Sequence, residues 1–219
     1  MSITSTKGLK IWLSKSGVTT TDLIPTSISA TDPTEITVAD TTDLADGNIV
    51  EVNGTDYPEL DGKLFIISNL TGTTFELLGA DTTNTAGGVI GDDAKVAVYQ
   101  TGDMQNICLS SIDISPGSTN TIDISTFCAP GASLPGNPTP GTITLNGYVD
   151  IEATGYKELI KAAEDGDAHM LKIDIPNQGY IVGKMVIGSI SWGIPIEGSV
   201  TYAANASMSV PMKHVFEQS

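Results

Sequence analysis

The sequence predicts a mainly β protein, a β-sandwich or partial barrel with one packed α-helix, into which a small all-β domain is inserted. Short runs that alternate apolar and polar residues recur along most of the chain, as in half-buried strands. The one convincing helical pattern lies between Thr154 and Gly166. Residues 30–99 are more acidic than the rest and contain no helical pattern, which indicates a separate unit.

The first predicted strand carries Leu9, Ile11 and Leu13 on one side. Residues 17–31 follow as a Thr/Ser-rich connection that contains Pro25. We therefore expect one core strand before the inserted unit and no regular structure in the connection.

The inserted unit has a charge and turn pattern of its own. Residues 31–99 carry 13 acids and two lysines, whereas the other 150 residues carry 13 acids and eight lysines. Five short strands are predicted between Gly-containing turns: Glu35–Ala39, Asn48–Asn53, Lys63–Asn69, Thr74–Leu78 and Ala94–Gln100. The expected organisation is a core domain of residues 1–29 and 100–219, interrupted by a small β-barrel or sandwich of residues 30–99.

Beyond the inserted unit the larger pattern resumes. Residues 106–115 form a predicted strand whose alternation slips between Leu109 and Ile112, as at a β-bulge. A strand at residues 121–127 precedes the Pro/Gly-rich segment 129–141. Proline cannot donate to a strand ladder, so we expect a long exposed loop there, of a length that is usually functional or disordered.

The segment Gly141–Asp167 combines a strand with the helix. Its strand has an apolar face expected to contact the core, formed by Ile143, Leu145, Val149 and Ile151. The other face is formed by Thr144, Asn146, Tyr148 and Asp150. In the helix, Tyr156, Leu159, Ile160 and Ala163 form the apolar stripe, Thr154 is the expected N-cap, and Gly166 ends it.

Three strands are predicted after the helix. Residues 169–175 bury one side, and residues 179–192 are apolar on both sides, which indicates burial on both faces or a face kept for a partner subunit. Residues 199–210 alternate strictly, with small residues at the centre. The tail, Pro211–Ser219, is expected to be an arm.

The charge of −16 and the absence of arginine exclude a surface that grips nucleic acid, although an acidic protein can work beside DNA by repelling it. Cys108 and Cys128 are interpreted as free thiols, with a disulfide as the alternative. The N-terminus lacks a signal-like apolar segment, and no run is long enough to span a bilayer. The sequence therefore indicates a soluble protein made in the cytoplasm.

No catalytic motif is present, so we expect neither an enzyme nor a bound cofactor or metal. His169 and His214 are interpreted as surface residues; a Cys128–His169 dyad is the alternative. Asp150 and Glu152 share a strand face, and an acid–base pair is again the less favoured interpretation. The oxygen-rich run Asp40, Asp43, Asp46 and Asn48 does not have EF-hand spacing and is better explained by turns than by calcium.

The chain from Asn106 onward resembles the tail tube (major tail) proteins of long-tailed bacteriophages. The resemblance rests on a strand that ends in Asp123-Ile124-Ser125, a long loop, the strand–helix–strand centre with its Leu159–Ala163 helix, and the closing strand Glu197–Tyr202. The first strand, Leu9–Leu13, takes the family's first position. About two-thirds of the chain is covered.

The inserted unit resembles a small β module that recurs in phage structural proteins. Its pattern is matched by Asp46-Gly47, Leu60-Asp61-Gly62, Asn69 and Thr74–Leu77. This resemblance implies an outward-facing domain used for decoration or contact. Here the module interrupts the core after its first strand, whereas the family carries such modules at the C-terminus.

The resemblance to tail tube proteins implies the tail-tube fold and a structural role in the virion tail. Six subunits would form a ring, with the helix outside, and stacked rings would form an acidic conduit for genome DNA. Implied partners are other copies of the chain and the tape-measure, tail-terminator and baseplate proteins, with assembly in the host bacterial cytoplasm. The candidate ring-stacking loop comprises Pro130, Gly131, Leu134, Pro135, Pro138 and Pro140. The candidate lumen or subunit face comprises Thr144, Asn146 and Asp150.

Two alternatives remain open from the sequence. One is another virion or surface-binding β protein, such as a head decoration protein or adhesin that uses the acidic insert for recognition. The other is a calcium-dependent β protein that binds or hydrolyses carbohydrate.

Overall fold

The chain forms two seven-stranded antiparallel sheets, a two-stranded ribbon and one α-helix in the computed structural model, which describes residues 9–85, 90–123, 133–176 and 178–215. The core sheet consists, in spatial order, of β10 (Ser111–Ser115), β13 (Thr142–Tyr148), β16 (Thr201–Val215), β15 (Gly179–Gly193), β14 (Ala168–Ile175), β1 (Lys10–Ser14) and β9 (Met104–Ile107). The second sheet consists of β2 (Thr21–Leu23), β8 (Ile90–Tyr99), β5 (Ile49–Thr55), β6 (Lys63–Thr71), β7 (Thr74–Leu77), β4 (Thr34–Val38) and β3 (Pro25–Ile28). The ribbon pairs β11 (Ser118–Asp123) with β12 (Ser133–Thr139), and the helix α1 spans Thr154–Asp165. The predicted mainly β fold with one helix is confirmed.

The core sheet curls into a partial barrel. Its edge strands β9 and β10 are joined by only three residues, 108–110. A flat seven-stranded sheet is about 29 Å wide, whereas four Cα steps reach at most about 15 Å. The edges must therefore approach each other. The expected β-bulge in residues 106–115 is wrong, because the slip in alternation marks where the chain leaves one edge and joins the other.

The helix packs on the concave side of the core sheet. Leu159 and Ala162 are fully buried against core residues that include Leu13 and Leu145. Gly155 is also buried, and a Cβ at this position would overlap the Asn106 carbonyl oxygen. The predicted stripe is therefore displaced, since it contained neither Gly155 nor Ala162.

The ends of α1 confirm one predicted cap and correct the other. Gly166 adopts the left-handed conformation at the C-cap, with φ of 69°. The N-cap is Ala153 rather than Thr154, and its side chain makes no capping bond. Asp150 instead fastens the entry turn, because its Oδ1 accepts the amides of Glu152 and Ala153 at 3.0 and 3.3 Å.

Strand β13 has the predicted faces over most of its length. Ile143 and Leu145 are buried on the helix side, whereas Thr144 and Asn146 lie on the other side. Ile151 was expected in the core, but it is 67% exposed because the strand ends at Tyr148 and residue 151 belongs to the turn before the helix.

The first half of the long strand β15 is buried on two sides by this chain alone. Met185 and Ile187 face the helix side, while Val182 contacts the second sheet. Partner subunits are therefore not needed to bury Val182. Strict alternation in β16 is confirmed from residue 201 to residue 208. The strand then continues through Pro211 to Val215, at a register irregularity that accommodates proline, so residues 211–215 are not an arm.

The second sheet contains all five strands predicted for residues 30–99, with boundaries within a few residues. It also contains β2 and β3, which fall in the segment expected to be irregular. These two strands lie at opposite edges and are separated only by Ile24, so this sheet also curls. Phe65 and Phe75 are fully buried in its own core.

The two sheets share an apolar interface. Ile49, Leu64 and Ile66 of the second sheet pack with a core-sheet group that includes Met170 and Val182. This contact covers the convex side of the core sheet near β14 and β15. Deleting the second sheet would therefore expose apolar side chains of the core sheet.

Candidate assembly surface

The convex side of β10, β13 and β16 is a continuous polar surface, here called the polar face. Its polar residues include Ser111, Asp113, Thr144, Asn146, Thr201, Asn205 and Ser207, and the exposed Tyr148 lies at its end. The Thr144 hydroxyl donates to Asn205 Oδ1 at 3.2 Å. Asn146 Nδ2 donates to Ser111 Oγ at 3.0 Å and lies 3.4 Å from Asp113 Oδ2. Neighbouring strands thus brace these side chains against one another.

Two of the three predicted face residues lie on the polar face. Thr144 and Asn146 are there, whereas Asp150 lies in the turn before the helix. Asp150 and Glu152 therefore do not share a strand face, and the Asp150 carboxylate holds that turn. Chain reversal after Tyr148 breaks the alternation on which both expectations depended.

The ribbon continues the β10–β13 pair beyond the end of the core sheet. β10 ends at Ser115 and β11 begins at Ser118, while β12 ends at Thr139 and β13 begins at Thr142. The two chain segments approach each other closely at the root of the ribbon, since a Cβ on Gly117 would overlap the Thr139 carbonyl oxygen. The ribbon is therefore a projection of the core sheet.

The expectation that the Pro/Gly segment cannot join a ladder is wrong for residues 133–139. Leu134, Pro135 and Pro138 pair in register with Ile122, Thr121 and Thr119. In a two-stranded ribbon both strands have a free edge, so a proline is tolerated where an amide would point outward. Of the other candidate stacking residues, Pro140 is exposed at the ribbon root, and Pro130 and Gly131 lie outside the described residues.

The opposite end of the core sheet carries an exposed apolar group that the sequence did not lead us to expect. The turn between β15 and β16 presents Ile194 and Ile196, which are 78% and 105% exposed. Trp192 next to them is half exposed, and its Nε1 donates to the Tyr156 hydroxyl at 3.0 Å. We call Trp192, Ile194 and Ile196 the apolar tip. Its signal was the Ile-Pro-Ile run between Gly193 and Gly198, where solvent-facing turn residues are normally polar.

His169 is buried, so its interpretation as a surface residue is wrong. Its Nε2 lies 3.1 Å from Asp165 Oδ1, and its Nδ1 lies 3.1 Å from the Ser14 carbonyl oxygen and 3.4 Å from Ser14 Oγ. Burial raises the pKa of Asp165, but hydrogen bonds from the Asp167 amide and His169 outweigh it and hold that pKa below its usual value.

The Ser14–His169–Asp165 contact has the residue types of a hydrolytic triad but not its hydrogen-bond arrangement. Ser14 is buried, and its Oγ accepts the Met170 amide at 3.0 Å. The His169 nitrogen nearest to Ser14 Oγ is Nδ1, which donates its hydrogen to the Ser14 carbonyl oxygen at 3.1 Å and so cannot take a proton from the hydroxyl. The group instead ties β1 and β14 to the end of α1.

Asp40 and Asp46 of the oxygen-rich run hold turns. Asp40 Oδ1 accepts the Thr42 amide at 2.9 Å and its hydroxyl at 2.6 Å, which lowers the pKa of Asp40. Asp46 Oδ1 accepts the Leu70 amide at 3.0 Å. Among the described residues there is no cluster of three or more His, Cys, Asp or Glu that could hold a metal ion.

Cys108 is an exposed free thiol, and Cys128 lies outside the described residues. In the ranges that the structure describes, no helix is long and apolar enough to cross a membrane.

Comparisons with known proteins gave matches among solved structures alone. No family model matches the sequence, and no curated protein matches it. A chain from the tail of an empty gene transfer agent particle, refined with C6 symmetry, is 18% identical; the match covers 52% of this chain and 88% of that one, with a TM-score of 0.42. A chain from the virion of a native gene transfer agent particle is also 18% identical. The match covers 52% of this chain and 89% of that one, with a TM-score of 0.41. A chain of the SPP1 tail tube is 15% identical. The match covers 54% of this chain and 72% of that one, with a TM-score of 0.42.

Proposed function

We propose that this protein is the tail tube subunit of a phage-like virion, in which six copies form a ring and stacked rings form a conduit for DNA during genome ejection. The observation that carries the proposal is the open core sheet with its polar face. Its edge strands β9 and β10 lack an outer neighbour within the described residues. Unpaired edges invite association, and joining six such sheets into one large barrel would remove them.

The polar face suits the wall of a DNA conduit. Asp113 is the one residue of this face that is charged at neutral pH, and neither lysine nor arginine is among its residues. Binding of DNA phosphates depends on such cations, so a wall without them lets DNA slide. Thr144 and Asn146 are the residues that we assign to this wall.

The positions of the helix and the second sheet agree with this orientation. Helix α1 packs on the concave side, opposite the polar face. The second sheet covers the convex side near β14 and β15. Because the core sheet curls, that region points away from the β10–β13 half. In a ring lined by the polar face, the helix and the second sheet would thus both lie outside, as the family resemblance implies for an inserted module.

The ribbon is the proposed contact between stacked rings. It leaves the core sheet along the direction of β10 and β13, which in a tube would point towards the next ring. The residues assigned to this contact are Pro130, Gly131, Leu134, Pro135, Pro138 and Pro140. The proposed partners at the tube ends and inside it are tail-terminator, baseplate and tape-measure proteins, and assembly would take place in the host bacterial cytoplasm.

Electron microscopy of the purified protein tests the proposal. At high concentration we expect six-fold rings and tubes with a central hole wide enough for duplex DNA. Persistent monomers, even with tail-initiation components present, would contradict it. An adhesin or a decoration protein would remain monomeric or form other assemblies.

A further inference from the structure

A second apolar surface lies at the end of the core sheet opposite the apolar tip. It is a groove of about 460 Å³ at the root of the ribbon, lined by residues that include Ile114, Pro140, Met208, Pro211 and Met212. We call it the root groove. Its lining residues contain no charged side chain.

The same strands connect the two surfaces. β13 begins beside the groove at Thr142 and ends at Tyr148, which pairs with Thr201 at the base of the tip. β16 runs from Thr201 to the groove residues Met208 and Met212. The seven residues of β13 span about 23 Å, so the tip cannot reach the groove of its own chain.

We propose that the apolar tip of one copy enters the root groove of the next copy, so that successive subunits join head to tail along the tube. This inference rests on the proposed function and adds the second surface of the ring-to-ring contact. A knob and a groove at opposite ends of one molecule form a heterologous contact, which does not close and therefore produces a filament.

Electrostatics favours a second copy as the occupant of the groove. Each subunit carries a formal charge of −16, so two copies repel each other over most of their surfaces. Residues 188–196, which contain the tip, include no charged residue, and neither does the lining of the groove. The exposed Glu197 follows the tip, but the groove lining contains no carboxylate that would repel it.

The size of the contact explains how it would act. One tip buries a few hundred Å² at most, well below the roughly 1,200–2,000 Å² of a stable protein pair. A single contact would not hold two subunits together. Six parallel contacts between two rings act as one multivalent interaction, so the contact stabilises stacked rings and not free dimers.

The first test removes the tip and keeps the fold. The variant Ile194→Asp/Ile196→Asp changes two exposed side chains. We expect its melting temperature to stay within about 2 °C of the wild-type value. Its critical concentration for tube growth should rise at least about tenfold, because each contact loses two apolar anchors and gains charge. The matched control is Ile24→Asp, a 73% exposed isoleucine on the second sheet, which should leave tube growth unchanged.

The second test traps the contact covalently. In a Cys108→Ser/Cys128→Ser background, Ile196→Cys is combined with Ser209→Cys, which places one thiol on the tip and one beside the groove. Within one chain the two lie about 25 Å apart along β16, far beyond the limit of about 7 Å between Cα atoms in a disulfide. Oxidised tubes should therefore give a ladder of covalent multimers on a non-reducing gel, and neither single-cysteine variant should do so.

The outcomes separate this inference from the proposed function. Wild-type tubes, rings without tubes from the tip variant, and a disulfide ladder would support both. Wild-type tubes together with normal tubes from the tip variant and no ladder would overturn the tip-to-groove contact and leave the tube function standing. Absence of rings and tubes from the wild-type protein would overturn the proposed function, and this inference with it.

Discussion

Lys184 Nζ lies 2.9 Å from Glu51 Oε2, and this ion pair joins β15 of the core sheet to β5 of the second sheet. The Tyr99 hydroxyl lies 3.4 Å from the same carboxylate oxygen. Burial lowers the pKa of Lys184, but hydrogen bonds and charge interactions with Glu51 and Tyr99 outweigh it and raise that pKa above its usual value. The lysine is therefore charged at neutral pH, and the two sheets are linked by polar as well as apolar contacts.

Replacing Glu51 by glutamine should destabilise the protein by about 1–3 kcal/mol, because it leaves a partly buried ammonium group without its counter-charge. The double variant Glu51→Gln/Lys184→Met should recover part of the loss. Urea unfolding monitored by circular dichroism measures both. As a control, Lys95→Met breaks the exposed Lys95–Asp22 pair and should change stability by less than about 0.5 kcal/mol. An equal loss of stability in Glu51→Gln and in Lys95→Met would contradict the structural role of the Lys184–Glu51 pair.

Lys213 should make stability depend on pH. Burial, together with the charge of Lys63, lowers the pKa of Lys213 to about 8. The unfolded chain, with a lysine pKa near 10.4, therefore binds more protons than the folded chain above about pH 8. Stability should thus rise as the pH increases from 7 to 9.5, by about 1 kcal/mol after allowance for partial exposure.

The variant Lys213→Met isolates this effect, since it should remove the rise and leave the other pH dependences unchanged. The measurements should stop at pH 9.5, because above it the titration of Tyr202 also affects stability. Burial raises the pKa of Tyr202 to about 12. That shift works in the opposite direction, with stability lost from about pH 10 upward. The same slope in wild type and variant would show that Lys213 is charged in the folded protein throughout this range.

Replacing His169 by alanine should cost about 2–4 kcal/mol. It removes a buried side chain and leaves the Ser14 carbonyl oxygen and the Asp165 carboxylate without the imidazole. Thermal unfolding measures the effect. The exposed His214 provides the control, and His214→Ala should change stability by less than about 0.5 kcal/mol. A small effect of His169→Ala would show that water replaces the imidazole at this position.

Replacing Ser133–Pro140 by a short glycine linker should weaken ring stacking and leave the subunit folded, because the ribbon projects from the core sheet. Tube length in electron micrographs and secondary structure by circular dichroism measure the two effects. A Thr83→Gly/Asn84→Gly variant, in an exposed loop of the second sheet, should give normal tubes. Normal tube length without the ribbon would refute its assignment to stacking.

The second sheet should be removable if its two junctions are joined directly. The Lys15 amide donates to the Asp103 carbonyl oxygen at 2.9 Å, and Ser14 pairs with Met104. An Asn-Gly turn in place of residues 16–102 would therefore connect β1 to β9 as a hairpin. Polar substitutions at Met170 and Val182 are needed as well, because both side chains contact the second sheet.

We expect this shortened chain to fold and to form rings of smaller outer diameter in negative-stain images. The same deletion without the polar substitutions should aggregate, since it exposes the apolar interface. Loss of the β-sheet circular dichroism signal in the substituted form would show that the core sheet does not fold without the second sheet.

The local alternation of apolar and polar residues was sufficient to predict most of the strands, but not β2, β3 and β12. Side chains alternate along a strand whatever lies beyond it, so Ile143 and Leu145, and likewise Tyr202 to Met208, could be assigned to the buried side. The helix and its Gly166 cap followed from equally local rules. Of the candidate face, Thr144 and Asn146 were found in this way, whereas Asp150 was misplaced because the period does not show where a strand ends.

Contacts between distant parts of the chain decided the rest. Residues 106–115 form two strands at opposite edges because the core sheet curls, and Val182 is buried because a sheet formed by residues 21–99 packs on it. His169 is buried by Ser14, 155 positions earlier. Only the folded structure brings the apolar tip and the root groove to opposite ends of the same strands. The amino-acid sequence by itself thus determined most of the strands and which of their sides are apolar, because both depend on neighbouring residues. Which surfaces remain uncovered for assembly depends on long-range packing, which the tertiary structure alone decided.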